Sequence, residues 1–230
     1  MGMLIDGKWT TGSIVRSDKK GAYDRLPRTF RDYINENNSV YKPESGRYHL
    51  YVSYACPWAC RTLIYRKLKG LDPHISVSVV HPDMMENGWF FDKNYNGSTE
   101  DHLFGSKYLS EVYQKADTNI TTSVTVPVLW DKKINTIVNN ESSEIIRMFN
   151  GSFNQLTKNY DDYYPVDLKN EIDHFNNKVY PAVNNGVYRT GFAQTQKAYD
   201  EAVKFLFDTL DELDEVLSKN KYLIGDKITE

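Results

Sequence analysis

The chain contains two cysteines, and both lie in one short cluster, Cys56-Pro57-Trp58-Ala59-Cys60. Cys56 stands where a β-rich run ends and a helical pattern begins. Pro57 fits the first helical position, because its missing N–H would be unpaired there in any case. The unpaired amides and the dipole of a helix N-terminus favour negative charge. A thiol in that place has a lowered pKa and is partly thiolate near neutrality, which makes Cys56 a candidate nucleophile. The alternative, a buried structural cysteine, fits the strand-Cys-Pro context less well. Cys60 is a separate question. Its spacing is one residue longer than the C-x-x-C dithiol motif. Positions four apart on a helix are near enough for a strained disulfide, but disulfide geometry is demanding. Cys60 is therefore read as a small, partly buried helix residue with no catalytic role.

Two other places carry binding chemistry. Val126-Pro127 directly precedes a β-rich run. A cis bond there would present the backbone N–H and C=O of Val126 to an extended, peptide-like ligand. A trans turn proline is the alternative, and the local sequence favours it. Glu141 and Ser142 open the next helix and suit a ligand with both a carboxylate and an amine. The helix amides and the Ser142 hydroxyl would hold the carboxylate, and Glu141 would pair with the ammonium. The alternative is an N-cap and nothing more. Together the pieces outline a site for a small peptide thiol beside a reactive cysteine.

The elements that must position these residues follow from pattern. Tyr48-His49-Leu50-Tyr51-Val52-Ser53 is a β-rich run leading into the cysteine cluster. From Pro57, the apolar residues Ala59, Leu63, Ile64 and Leu68 recur three to four apart, and Gly70 suits a C-cap. A second strand over 75–80 completes a βαβ unit, whose strands should be parallel. Residues 81–122 are long and irregular, with one helix expected near 106–116; stretches of this kind are usually functional or covering. Strands at 126–130 and 136–138 flank a polar turn, and Asn140-Glu141-Ser142-Ser143 opens an amphipathic helix. The first 45 residues are polar and loop-like, with a short helix expected around 30–35. Residues 151–165 read as a linker. Beyond it the chain looks wholly helical, with one apolar stripe from Leu168 to Val183 and a longer one through Ala198, Ala202, Phe205, Leu206, Leu210, Leu213 and Leu217.

Composition removes several classes of function. With 230 residues, 40 % hydrophobic and 13 % aromatic, the chain can bury a substantial core and is too apolar for disorder. A net charge of −3 lacks the basic surface that phosphate backbones require, so no nucleic-acid partner is expected. No run approaches the ~18 apolar residues of a membrane span, and Met1-Gly2-Met3-Leu4-Ile5-Asp6 has neither the charged nor the apolar region of a secretory signal. No membrane partner is expected. Two cysteines are too few for a disulfide scaffold and point to a reducing, cytoplasmic setting. Five scattered histidines form no zinc-like pair, so no metal site is expected.

At this point a resemblance enters. The run Arg47 to Ser53, Cys56-Pro57-Trp58-Ala59, Arg61-Thr62-Leu63-Ile64 and Lys67-Leu68-Lys69-Gly70-Leu71 closely resembles the glutathionyl-hydroquinone reductases, the Xi class of glutathione transferases. Glu86-Asn87-Gly88-Trp89, Thr125-Val126-Pro127-Val128-Leu129-Trp130-Asp131, Asn140-Glu141-Ser142, Asp162-Tyr163-Tyr164-Pro165 and Val183-Asn184-Asn185-Gly186-Val187-Tyr188 are similar to further family segments. The match runs from Leu4 to the last residue.

The resemblance implies an α/β thioredoxin-like N-terminal domain followed by an all-α glutathione-transferase-type C-terminal domain, with glutathione bound between them. Its boundaries would be an N-terminal extension over 1–45, the thioredoxin-like domain over 46–152, a linker over 153–166 and a partial helical domain over 167–230. It implies Cys56 as nucleophile, Val126 as backbone partner of glutathione's cysteine, and Glu141 with Ser142 as the γ-glutamyl site. Trp89 would pack on glutathione and Tyr188 would give its hydroxyl to an oxygen of the aromatic substrate. As bare residues, both would be assigned to packing. The implied reaction has the Cys56 thiolate attack the sulfur of a glutathionyl-hydroquinone and release the hydroquinone. A second glutathione, as co-substrate, then clears the resulting mixed disulfide.

Three departures from the family stand out. Cys60 replaces a usual His, Ser123 stands where an Arg is common, and the chain stops at Glu230 where family members continue. The expectation is an incomplete C-terminal domain lacking further pocket residues, with a homodimer if that domain were complete. Two alternatives stay open: a general glutathione-dependent thiol or dehydroascorbate reductase, and a non-catalytic glutathione-binding remnant.

Overall fold

The computed structural model describes residues 2–12 and 16–230. In chain order these form the strands β1 (Gly2–Ile5), β2 (Lys8–Thr11), β3 (Arg16–Ser17), β4 (Tyr23–Asp24) and β5 (Tyr48–Val52). Then come helix α1 (Pro57–Leu68), β6 (Ile75–Val79), α2 (Leu109–Ala116), β7 (Val128–Asp131), β8 (Thr136–Asn139), α3 (Ser142–Gly151) and the single turn α4 (Asn154–Thr157). The remainder is helical: α5 (Lys169–Val179), a π-helical turn over Tyr180–Asn184, α6 (Gly186–Gly191) and α7 (Gln196–Lys219). The chain divides into two compact units. One joins Pro27–Asp161 to the β1–β2 hairpin, and the other joins Asp162–Glu230 to the β3–β4 ribbon.

The first unit is the α/β thioredoxin-like part. Its four-stranded sheet has the order β6-β5-β7-β8. β5 and β6 are parallel, as the βαβ reading requires, with Leu50 opposite Val77; β7 runs antiparallel to both β5 and β8. Every residue of β5 is buried, so the strand has no polar alternation to read. α1 packs on α3, and α2 contacts β8. α1 ends in a Schellman motif: Gly70 adopts φ +67, its N–H donates to Lys67 C=O, and Leu71 N–H donates to Arg66 C=O.

Charge and polar groups are buried inside this unit. Arg47 and Asp131 are almost wholly buried and paired, with Arg47 Nε 2.9 and 3.0 Å from the two carboxylate oxygens. His49, on the central strand, is fully buried between the hydroxyls of Ser76 and Ser78 at 2.7 and 2.9 Å. Burial pushes its pKa down to about 3. The long 81–108 stretch is pinned rather than loose. The buried Asp101 carboxylate accepts from the Tyr51 hydroxyl and from the N–H groups of Leu103 and Ser106.

Several expectations are corrected. Residues 30–35 form no helix, because partners outside the segment take their backbone groups: the β8 edge and Asn140 at residues 30 and 32, and Met148 and Ser152 at Ile34. Asp32 N–H donates to Val138 C=O, Asn140 N–H to Phe30 C=O, and the Asn139 amide to Asp32 C=O. The expected apolar stripe of α1 is only partly its buried face: Ala59 is buried, together with Thr62 and Tyr65, whereas Ile64 and Leu68 are exposed. In the stretch read as a linker, Gly151 still belongs to α3, residues 154–157 form α4, and Phe153 is buried edge-on against Tyr48 and Phe149.

The helices of the second unit lie between Lys169 and Lys219, interrupted at 192–195, and residues 220–230 are non-helical, so the expectation of helix throughout is corrected at both places. Those last residues pack without helix: Ile224 is buried, and Glu230 N–H donates to Tyr163 C=O. Thr195 is the N-cap of α7, and its hydroxyl accepts from Ala198 N–H. The helix buries Ala198, Ala202, Leu206 and Thr209 but leaves Phe205 and Leu217 exposed, so only part of the expected stripe is core. The β3–β4 ribbon is tied to the helices through Gly21 C=O, which accepts from Gln194 N–H, and through Lys20 C=O, which accepts from the Thr195 hydroxyl. A side chain at Gly21, with φ +83, would collide with Thr195.

Candidate active site at the start of α1

Cys56 is the N-cap of α1, in extended backbone (φ −101, ψ 113), with Pro57 as the first helical residue. Its N–H donates to Ser53 C=O at 3.1 Å, which holds the turn between β5 and the helix. The thiol is half-buried, and Sγ lies 3.6 Å from the carbonyl oxygen of Val126. The thiol thus stands at the positive end of the α1 dipole. No disulfide joins Cys56 to Cys60, and Cys60 is exposed rather than partly buried.

The Val126–Pro127 peptide is cis, against the trans isomer favoured by the local sequence. The loop before β7 is held by Tyr113 of α2. Its fully buried hydroxyl donates to Thr125 C=O at 2.8 Å and accepts from Thr125 N–H at 3.3 Å and the Asn140 amide at 3.1 Å. Tyr113 thus ties the loop carrying Val126 to the segment that opens α3.

Glu141 is the N-cap of α3. Its N–H is held by the Asn139 side chain at 2.7 Å, and its carboxylate accepts from both the N–H and the hydroxyl of Ser143. Ser142 is nearly buried, and its hydroxyl accepts from Arg61 Nε and Nη2 at 3.1 and 2.8 Å. The same guanidinium lies 3.9 Å from the Glu141 carboxylate and 5.3 Å from the Trp58 ring centre. A carboxylate arriving at the α3 amides would therefore meet a cation as well as a hydroxyl.

Cys56, Val126, Glu141 and Ser142 all belong to the first unit. So does Trp89, a half-buried residue whose C=O accepts from Leu109 N–H, next to Gly88 at φ +76 against the Trp9 ring. Tyr188 belongs to the second unit, on α6. There its ring stacks on Tyr23, and the Arg25 guanidinium lies over it at 4.4 Å while donating to Asn185 Oδ1 at 2.6 Å. Among the described residues, no group of three or more His, Cys, Asp or Glu side chains is arranged to hold a metal ion.

Comparison with known proteins decides the family. Residues 55–151 match the family model for the glutathione S-transferase N-terminal domain. The chain is 49 % identical to glutathionyl-hydroquinone reductase YqjG of Escherichia coli, covering all of this chain and 72 % of that protein. It belongs to the Xi-class glutathione transferases, the family of the glutathionyl-hydroquinone reductases. The glutathione-bound structure of YqjG superposes with a TM-score of 0.88 at 48 % identity, over 99 % of this chain and 70 % of that one. The Xi glutathione transferase of Phanerochaete chrysosporium gives a TM-score of 0.89 at 50 % identity, over 93 % and 69 %.

Within this Xi-class chain, two residues of the site escaped the sequence reading. Arg61 was visible only as part of a family motif, and its place five residues after Cys56 carried no sign that it would reach Ser142. Tyr113 was one of 17 tyrosines, and nothing local marked it as the tie between the two binding loops.

Proposed function

We propose that this chain reduces glutathionyl-hydroquinones to hydroquinones with glutathione, through a mixed disulfide on Cys56. The observation that carries the reading is the thiol at the N-cap of α1, with the Val126 backbone 3.6 Å away and the polar start of α3 in the same unit. The Cys56 thiolate attacks the sulfur of the substrate's glutathionyl group. The bond from that sulfur to the aromatic ring breaks, and the ring carbon takes a proton. Glutathione then attacks the Cys56–glutathione bond, leaves as glutathione disulfide and regenerates the Cys56 thiolate. In both steps Val126 would pair with the backbone of glutathione's cysteine. Ser142, Glu141 and the α3 amides would hold its γ-glutamyl end, and Trp89 would pack on it. Tyr188 would donate its hydroxyl to a ring oxygen as charge develops there. A reducing compartment such as the cytoplasm suits thiolate chemistry, and a homodimer is the assembly that the family resemblance suggests.

The test is mass spectrometry of the protein after exposure to a glutathionyl-hydroquinone, alongside steady-state turnover. One glutathionyl group should appear on Cys56, and Cys56→Ser should reduce turnover to background. A protein that never carries the adduct, or a Cys56→Ser variant that still turns over, would overturn the mechanism. Turnover of small mixed disulfides alone would move the assignment to a general thiol reductase.

A further inference from the structure

The two cysteines straddle the start of α1. Cys60 N–H donates to Cys56 C=O at 2.9 Å, which sets the two residues one helical turn apart. Cys60 is exposed, and no bond joins the two sulfurs. On a regular helix, Cβ atoms at this spacing lie about 5–6 Å apart, whereas a disulfide needs about 3.5–4.5 Å. The difference falls on Cys56, the N-cap, whose backbone is extended rather than helical. Its Sγ contact is the Val126 carbonyl at 3.6 Å rather than a hydrogen bond that caps the helix. A change in its torsions can carry the thiol toward Cys60 while the interior hydrogen bonds of α1 stay in place.

We propose that Cys60 is a resolving thiol, which gives this chain a dithiol route beside the single-cysteine one. The inference rests on the mixed disulfide at Cys56 that the proposed function requires. Cys60, as thiolate, attacks Cys56 Sγ. The bond between Cys56 Sγ and the glutathione sulfur breaks, the bond between the two cysteine sulfurs forms, and glutathione leaves with the proton that Cys60 gave up. No outside oxidant enters, because both oxidising equivalents arrived with the mixed disulfide. Reduction reverses the order: one glutathione attacks the exposed Cys60 sulfur and releases the Cys56 thiolate, and a second removes the first as glutathione disulfide. The net consumption is one glutathione, as in the direct route. A bridge across so short a helical span is strained and therefore readily reduced, which suits an intermediate rather than a structural crosslink. Its use is to release glutathione from Cys56 when free thiol is scarce.

The experiment loads the protein with oxidised glutathione, which modifies a reactive thiolate without any hydroquinone. The excess is then removed and the intact mass followed, with peptide mapping. The wild-type chain should lose its glutathionyl group and become two hydrogens lighter than the reduced protein, with Cys56 linked to Cys60. Cys60→Ser, a change at an exposed position, should keep the adduct on Cys56. Adducts of equal lifetime in the two proteins would overturn the resolving role and leave the proposed function standing. A Cys60→Ser protein that takes no adduct on Cys56 overturns the nucleophile itself, and the resolving role with it.

Discussion

Arg61 is the side chain that makes the site more than a cysteine and a helix cap. It leaves α1 five residues after Cys56 and ends on the Ser142 hydroxyl at 2.8 Å, so the helix of the nucleophile and the start of α3 share one cation. A hydrogen bond to a charged group contributes about 1.5–3 kcal/mol, and 1.4 kcal/mol corresponds to about tenfold in an equilibrium constant. Arg61→Ala should therefore raise the KM for glutathione about tenfold or more, with a smaller change in kcat. Arg61→Lys should recover only part of the loss, since a point charge lacks the planar fork. Initial-rate kinetics with glutathione varied would check this, and an unchanged KM would refute it.

Among the elements, β5 carries the most consequence. It leads directly into Cys56, and at its centre His49 is fully buried between two serine hydroxyls. Burial holds the imidazole neutral, with a pKa of about 3 in the folded chain against about 6.5 in the unfolded one. The unfolded chain therefore binds a proton as pH falls below about 6.5 while the folded chain does not, and stability is lost progressively toward pH 3. At about 1.4 kcal/mol per pKa unit, the loss is on the order of 5 kcal/mol when complete. Urea unfolding between pH 7 and 4 should show wild-type stability falling more steeply than that of His49→Gln, which has no proton to take up. Parallel pH profiles would refute the assignment. The same strand shows why pattern reading has limits. Its β-rich run announced a strand, but a histidine inside it gave no local sign that Ser76 and Ser78 of β6 would satisfy both nitrogens.

At the scale of the whole chain, Cys56 belongs to the first compact unit and Tyr188 to the second. Tyr188 is constrained within its own unit by Arg25, Tyr23 and Phe192, so its ring has a defined setting on α6. If its hydroxyl serves the aromatic substrate, Tyr188→Phe should lower turnover of a glutathionyl-hydroquinone by about 10²-fold, the scale of losing one preorganised donor. Reduction of a small mixed disulfide, which has no ring oxygen, should stay within about twofold. Equal losses on both substrates would assign the tyrosine to packing instead.

What the sequence determined by itself is what neighbouring residues decide among themselves. The strand-Cys56-Pro57-helix junction, the Gly70 stop and the Glu141 cap follow from local backbone preferences and local hydrogen bonds, and each stands in the structure. The family was equally legible, because long motifs around Cys56 and Val126-Pro127 survive as strings of residues. Only the tertiary structure decided the rest. The isomer at Val126–Pro127 is one case, since the trans preference before proline is only about 0.5–1 kcal/mol. The non-helical course of residues 30–35 is another, because Phe30, Asp32 and Ile34 find backbone partners between Val138 and Ser152, more than a hundred residues away in the chain. The buried face of α1, the reach of Arg61 to Ser142 and the Tyr113 tie likewise depend on which distant elements pack together. Contacts between residues far apart in the chain leave no period or spacing in the sequence, so packing alone reveals them.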